Sequence, residues 1–206
     1  IRDFCLSRGL GDVYKRQNAV SEIGIKDMDT YVYRIGNHLY VNLTNRCSNR
    51  CTFCVRNGKE TFEGYALWLK DGEPTAAQVE QALGGCDCDE VVFCGFGEPT
   101  YRLDVMLEVC DYVHAHGKKT RLNTNGHGSI INGRNIAPEL VGKLDGINIS
   151  LNASEPKLYD RICRPLYPDM AFDSMLFFAE DCRENGLNCW FSVVDCIGCL
   201  LYTSPS

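Results

Sequence analysis

The sequence predicts an α/β fold, a partial (βα) barrel whose parallel strands carry helices on their outer side. Three observations predict it. Apolar runs of strand length alternate with stretches of helical period along most of the 206 residues. Parallel neighbours need crossover connections, and the intervening stretches are long enough to supply them. Five such units follow one another, short of the eight of a complete barrel, so the fold is expected to be truncated after the fifth strand, with an open edge.

The elements follow in order. Tyr31 to Ile35 and His38 to Leu43 read as strands joined by a Gly36-Asn37 turn. Pro74 to Leu83 reads as a helix with Pro74 near its first turn. Glu90 to Cys94 is the next strand. Leu103 to His116 places Val105, Val109, Tyr112 and Val113 at helical spacing and is closed by Gly117. Lys119 to Asn123 is a strand, Ile136 to Lys143 a short helix and Leu144 to Leu151 a strand. Ala171 to Asn185 is a helix stopped by Gly186, and Asn188 to Val194 is the fifth strand of the series.

The two ends have a different character. Residues 1–17 and 199–206 carry neither period and resemble translated sequencing-adapter reads, so they are expected to be non-native tails, with Cys5 and Cys199 outside any function. Residues 18–30 are then a linker or the native N-terminus, with a start expected near Met28. The folded core spans 31–198.

Composition narrows the function. A net charge of −6 argues against non-specific nucleic-acid binding, which needs a basic patch to displace phosphate counterions. No run is apolar enough to span a membrane, and a cytoplasmic location is expected. The 13 cysteines are the outlier. A secreted disulfide scaffold is short and poor in core residues, whereas this chain is rich in Val, Ile, Leu and Phe, which leaves metal binding and core packing.

The decisive segment is TNRCSNRCTFC, placed just after a strand, where Cys47, Cys51 and Cys54 fall within eight residues. Soft thiolates select iron-sulfur clusters, zinc or copper(I). Three such thiols can hold three corners of a cubane and leave one iron open for chemistry. A structural zinc site would need a fourth Cys or His, and the nearest pair, Cys86 and Cys88, is expected at the opposite end of the sheet.

This cysteine spacing resembles that of the radical S-adenosylmethionine (radical SAM) enzymes, with Phe53 matching the aromatic residue usual before the last cysteine. The resemblance covers roughly Tyr31 to Asp195. In YRIGNHLYVNLTNRCSNRCTFCVRN, VVFCGFGEPTYRLD, RLNTNGHG and NISLNA the chain is most similar to the TatD-associated radical SAM proteins.

The resemblance implies a partial barrel of the radical SAM type. It also implies a 4Fe-4S cluster on Cys47, Cys51 and Cys54, and S-adenosylmethionine as cofactor. Gly95, Gly97, Glu98 and Pro99 match the Gly-Gly-Glu-Pro element that receives the methionine amino group, except that Phe96 stands where the first of two adjacent glycines is usual. Asn123, Asn125, Ser150 and Asn152 resemble positions that hold the ribose and carboxylate, although a routine turn or strand end would explain them equally well.

A one-electron reductant such as flavodoxin or ferredoxin, an unknown substrate and a TatD-type hydrolase neighbour are implied as partners. Competing readings are a non-catalytic iron-sulfur or zinc module, and a 7-carboxy-7-deazaguanine-synthase-like or activase-like enzyme. Cys94, Cys110, Cys163, Cys182 and Cys189 read as packing residues. Tyr65 and Trp68 read either as a cover over the site or as core. Arg164 reads as a solvated loop arginine.

Overall fold

The computed structural model describes residues 29–194, so the expectations for 1–17, for most of 18–30, for 195–198 at the end of the core and for 199–206 lie outside it. A six-stranded sheet organises the chain. Strand β1 (Val32–Ile35) turns at Gly36, whose φ of +58° suits glycine, into β2 (His38–Val41). The two pair antiparallel, with Tyr33 opposite Tyr40. Strands β5 (Glu90–Phe93), β6 (Lys119–Thr124), β7 (Gly146–Ser150) and β8 (Cys189–Ser192) then add in parallel, giving the order β1-β2-β5-β6-β7-β8. The fold is the α/β, mostly parallel sheet that the sequence predicts, and it is consistent with a partial barrel.

Alternation along each strand divides the sheet into two faces. Leu39, Val41, Val91, Phe93, Leu122, Ile147 and Ile149 point to one side and join the main core. The helices α1 (Ala76–Leu83), α2 (Leu103–Ala115), α4 (Ala137–Leu140), α5 (Pro156–Cys163) and α6 (Ala171–Glu184) bury their apolar residues against it. Many of the alternate positions are polar, although Val92 is apolar and fully buried. There Arg121 Nε donates to Glu90 Oε2 at 2.8 Å, and Arg121 Nη1 donates to Asn123 Oδ1 at 3.0 Å.

Several elements differ from expectation. Helix α1 begins at Ala76 because Thr75 caps it: Gln78 N donates to Thr75 Oγ1, and the Gln78 side chain accepts from Thr75 N, a capping box that leaves Pro74 outside. The short helix expected over 136–143 shrinks to the four residues of α4, and a five-residue α3 (Gly128–Asn132) precedes it. Helix α5 was not expected: it is only eight residues long, although Leu158, Tyr159, Ile162 and Cys163 stand at helical spacing. A hairpin of β3 (Thr61–Phe62) and β4 (Tyr65–Ala66) fills the crossover between β2 and β5. Its strands are too short to leave a period in the sequence.

Candidate active site

The three-cysteine loop follows β2 at the end of the sheet where the parallel strands finish. Polar side chains that turn inward shape its root. Asn42 is fully buried, donates through Nδ2 to Leu67 O at 2.8 Å and accepts from Phe96 N at 3.2 Å. Asn45 clasps Leu69 in both directions, donating to its carbonyl at 2.8 Å and accepting from its N–H at 3.0 Å. Thr44 donates to Glu73 and accepts from Arg46 N. Arg56 gathers three carbonyls, donating to Asn45 O at 2.8 Å, Phe96 O at 3.1 Å and Asn49 O at 3.4 Å.

A second strand end is joined to this loop. Glu98 N donates to Arg46 O at 2.8 Å. Gly95 packs against Asn42, and Gly97 lies beneath the backbone of Thr44 and Arg46, so both glycines are required by close approach of the two segments. Phe96 turns its ring away into a small aromatic cluster with Tyr33 and Leu67. Pro99 is buried at the head of a 3-10 turn, Pro99–Arg102, that leads into α2.

Glu98 is 3% exposed. Its Oε1 accepts from Thr100 N at 3.3 Å, Thr100 Oγ1 at 2.8 Å and Thr124 Oγ1 at 2.8 Å, whereas Oε2 accepts only from Asn125 N at 2.8 Å. An ionised carboxylate offers about four acceptor positions, so Oε2 keeps room for one more donor. Burial pushes the Glu98 carboxyl above its usual range, and these bonds pull it back.

The third wall is a buried polar chain that the sequence does not reveal. Asn125 Nδ2 donates to Ser48 Oγ at 2.8 Å and lies 3.8 Å from Cys47 Sγ. Ser48 Oγ lies 2.9 Å from His127 Nδ1, His127 Nε2 lies 3.1 Å from Tyr159 OH, and Asn49 Nδ2 donates to Tyr159 OH at 3.0 Å. Burial lowers the His127 pKa to about 4, so its ring is neutral and uses one nitrogen as donor and the other as acceptor. From α5, Ile162 O and Cys163 O accept from Thr52 N and Arg50 N, each at 2.9 Å. Leu166 N, just beyond that helix, donates to Ser48 O at 2.8 Å.

These contacts link strand ends of β2, β5 and β6 with α5 around one loop. A model described as "Radical SAM superfamily" matches residues 41–199. The chain belongs to the radical SAM superfamily. Membership implies a 4Fe-4S cluster and S-adenosylmethionine as its cofactors.

Curated relatives include a probable GTP 3',8-cyclase of Thermococcus kodakarensis, 30% identical over 129 residues, which are 61% of this chain and 38% of the relative. The GTP 3',8-cyclase of Streptomyces coelicolor is 28% identical over 137 residues, 66% of this chain and 39% of the relative. The chain thus spans little more than a third of the length of these relatives. Among solved structures, Streptococcus suis SuiB bound to precursor peptide SuiA aligns with a TM-score of 0.58 at 20% identity, over 85% of this chain and 35% of that one. Native anSMEcpe with bound AdoMet aligns at 0.54 and 16%, over 74% and 42%. Both share the fold of this chain.

The donor set fits the radical SAM cluster. Cys47, Cys51 and Cys54 are half-buried free thiols. Among the described residues, no three His, Cys, Asp or Glu side chains converge as one tetrahedral ion requires. A cubane instead takes its thiolates on separate irons. Asn49 N donates to Cys47 Sγ at 3.4 Å, and with Asn125 Nδ2 it presents two donors to a ligand thiolate. Burial pushes the Cys47 thiol up to about 12, and contact with Cys163 followed by burial raises that of Cys51, so uptake of the cluster displaces protons. Asn49 Oδ1, beside this loop, is buried without a hydrogen-bond partner.

The remaining expected site residues divide by what their side chains touch. Asn125 faces the cluster loop, with its Oδ1 accepting from His127 N at 3.0 Å. Asn123 is engaged by Arg121 on the polar face of the sheet. Ser150 closes β7, and Asn152, at φ +54°, accepts from Val194 N at 3.2 Å. Phe53 packs against the main core. Tyr65 stacks near Tyr33 with ring centroids 5.5 Å apart, which places it in packing. Cys86 and Cys88 are buried just before β5, at the far end of the sheet from Cys47.

Proposed function

We propose that this radical SAM chain cleaves S-adenosylmethionine reductively and delivers a hydrogen-abstracting radical to a substrate. The observation that carries the reading is the junction of Glu98 N with Arg46 O, because it seats the three-cysteine loop directly against the Gly95–Pro99 strand end. Cys47, Cys51 and Cys54 would hold the cluster. The Oε2 edge of Glu98 would accept from the methionine amino group, and the Phe96 carbonyl is already taken by Arg56. When bound, the cluster supplies one electron that splits S-adenosylmethionine into methionine and a 5'-deoxyadenosyl radical able to remove a hydrogen atom. Asn42, Asn45, Ser48 and Arg56 keep the loop in one shape, so that the reacting groups meet in one geometry.

Its TatD-associated motifs support a place beside a TatD-type hydrolase, and one-electron chemistry calls for a donor such as flavodoxin or ferredoxin. Curated relatives act as GTP 3',8-cyclases, but the substrate of this chain is left unassigned. No described helix is long and apolar enough to cross a membrane, which supports a cytoplasmic site of action. The test is anaerobic reconstitution with iron and sulfide, followed by dithionite and S-adenosylmethionine. The expected product is 5'-deoxyadenosine from the native chain and none from Cys47→Ala or Cys54→Ala. A well-formed cluster that yields no 5'-deoxyadenosine would overturn the reading.

A further inference from the structure

Cys163 stands outside the three-cysteine motif, fully buried in the last turn of α5. Two backbone bonds bracket Cys51 and hold it alongside that turn: Arg50 N donates to Cys163 O and Thr52 N to Ile162 O, each at 2.9 Å. Leu166 N, donating to Ser48 O at 2.8 Å, sets the register of the same pairing. Because Arg50 N meets Cys163 O and Thr52 N meets Ile162 O, the backbones of Cys51 and Cys163 lie next to each other, the approach a disulfide needs. Cys51 packs against the core cluster that contains Cys163, and the Cys163 side chain is the neighbour that acts most strongly on its thiol. Cys47 is differently placed, its sulfur facing Asn49 N and Asn125 Nδ2.

We propose that Cys51 and Cys163 form a reversible disulfide when the cluster-free chain meets a two-electron oxidant. Cys51 is half-buried and meets the oxidant first, while Cys163 behind it resolves the intermediate. With an azodicarboxamide oxidant such as diamide the balance is closed. Two S–H bonds break, one S–S bond forms, and the two electrons and two protons reduce the N=N bond to a hydrazine. The sulfur of Cys51 can bind iron or Cys163 but not both, so the disulfide blocks reloading until a thiol reduces it. That competition rests on the proposed function, whereas the pairing does not.

The experiment treats the cluster-free full chain with diamide, alkylates remaining thiols and maps peptides without reduction. A linked pair containing Cys51 and Cys163 is expected, absent from Cys163→Ser and reopened by dithiothreitol. Full alkylation of both thiols, or Cys51 joined mainly to Cys47 or Cys54, would overturn the proposal. The native map decides this without any variant. Chain reconstituted anaerobically before diamide should lose the linked pair, and an undiminished yield in loaded protein would sink the competition. Failure to take up a cluster counts against the proposed function, while the cluster-free map still decides the pairing.

Discussion

Gly97 lies so close to Thr44 that a Cβ placed on it would stand 2.2 Å from the Thr44 carbonyl oxygen and 2.5 Å from that of Arg46. Both neighbours are backbone and cannot step aside as a flexible side chain can. Gly97→Ala should therefore push the cluster loop off the strand end, at about 3 kcal/mol or more. Anaerobic denaturant titration should show the lower midpoint, and iron content after reconstitution should fall. Unchanged stability and loading would show that the loop shifts freely.

Glu98→Gln tests the buried carboxylate. Glutamine can keep Oε1 as an acceptor for Thr100 and Thr124, but it must then point an amide N–H at the N–H of Asn125. One buried donor loses its partner, at about 1–3 kcal/mol. The expected signature is a modest drop in stability with a larger rise in the Kd for S-adenosylmethionine, read by calorimetry on the reconstituted chain.

His127 gives the fold a predictable acid limb. Its folded pKa of about 4 lies below the ordinary 6.5, so between these values the unfolded chain binds a proton that the native chain refuses. Stability is complete above pH 6.5 and is lost as pH falls toward 4, by roughly 3 kcal/mol at most. His127→Gln should flatten that limb in a pH series of unfolding midpoints. An identical slope in both proteins would assign the acid sensitivity elsewhere.

Arg56→Lys separates charge from shape. Lysine keeps the cation but cannot fork to Asn45 O, Phe96 O and Asn49 O together. Losing one or two charged hydrogen bonds costs about 1.5–3 kcal/mol each. Limited proteolysis should then cut within 56–60 faster than in the native chain, while the core strands stay resistant.

The sheet was legible because its strands read as apolar runs, continuous in Val91–Phe93 and alternating in Ile147–Ile149. Helix α5 was overlooked although Leu158, Tyr159, Ile162 and Cys163 stand at helical spacing, because it is only eight residues long and low in mean hydropathy. In the site, the cysteines and the Gly95–Pro99 segment announced themselves as a motif. Ser48, Asn49, Arg56 and His127 did not. Their burial arises from closure between distant segments, with Ser48 and His127 79 residues apart and Asn49 and Tyr159 110 apart. Asn125 drew notice as a ligand for the cofactor, yet its side chain braces Ser48, a role that no local pattern encodes.

The clamp that α5 places on residues 48–52 has a consequence for the chain as it leaves the ribosome. Asn49 emerges 110 residues before its partner Tyr159. At synthesis rates of about 5–20 residues per second, that gap is on the order of 5–20 s. For that interval the three thiols travel on a loop without its last wall, open to stray metal and to one another. If the three thiols take up the cluster as proposed, iron delivery would be productive only after the segment through Leu166 has been made and has folded back.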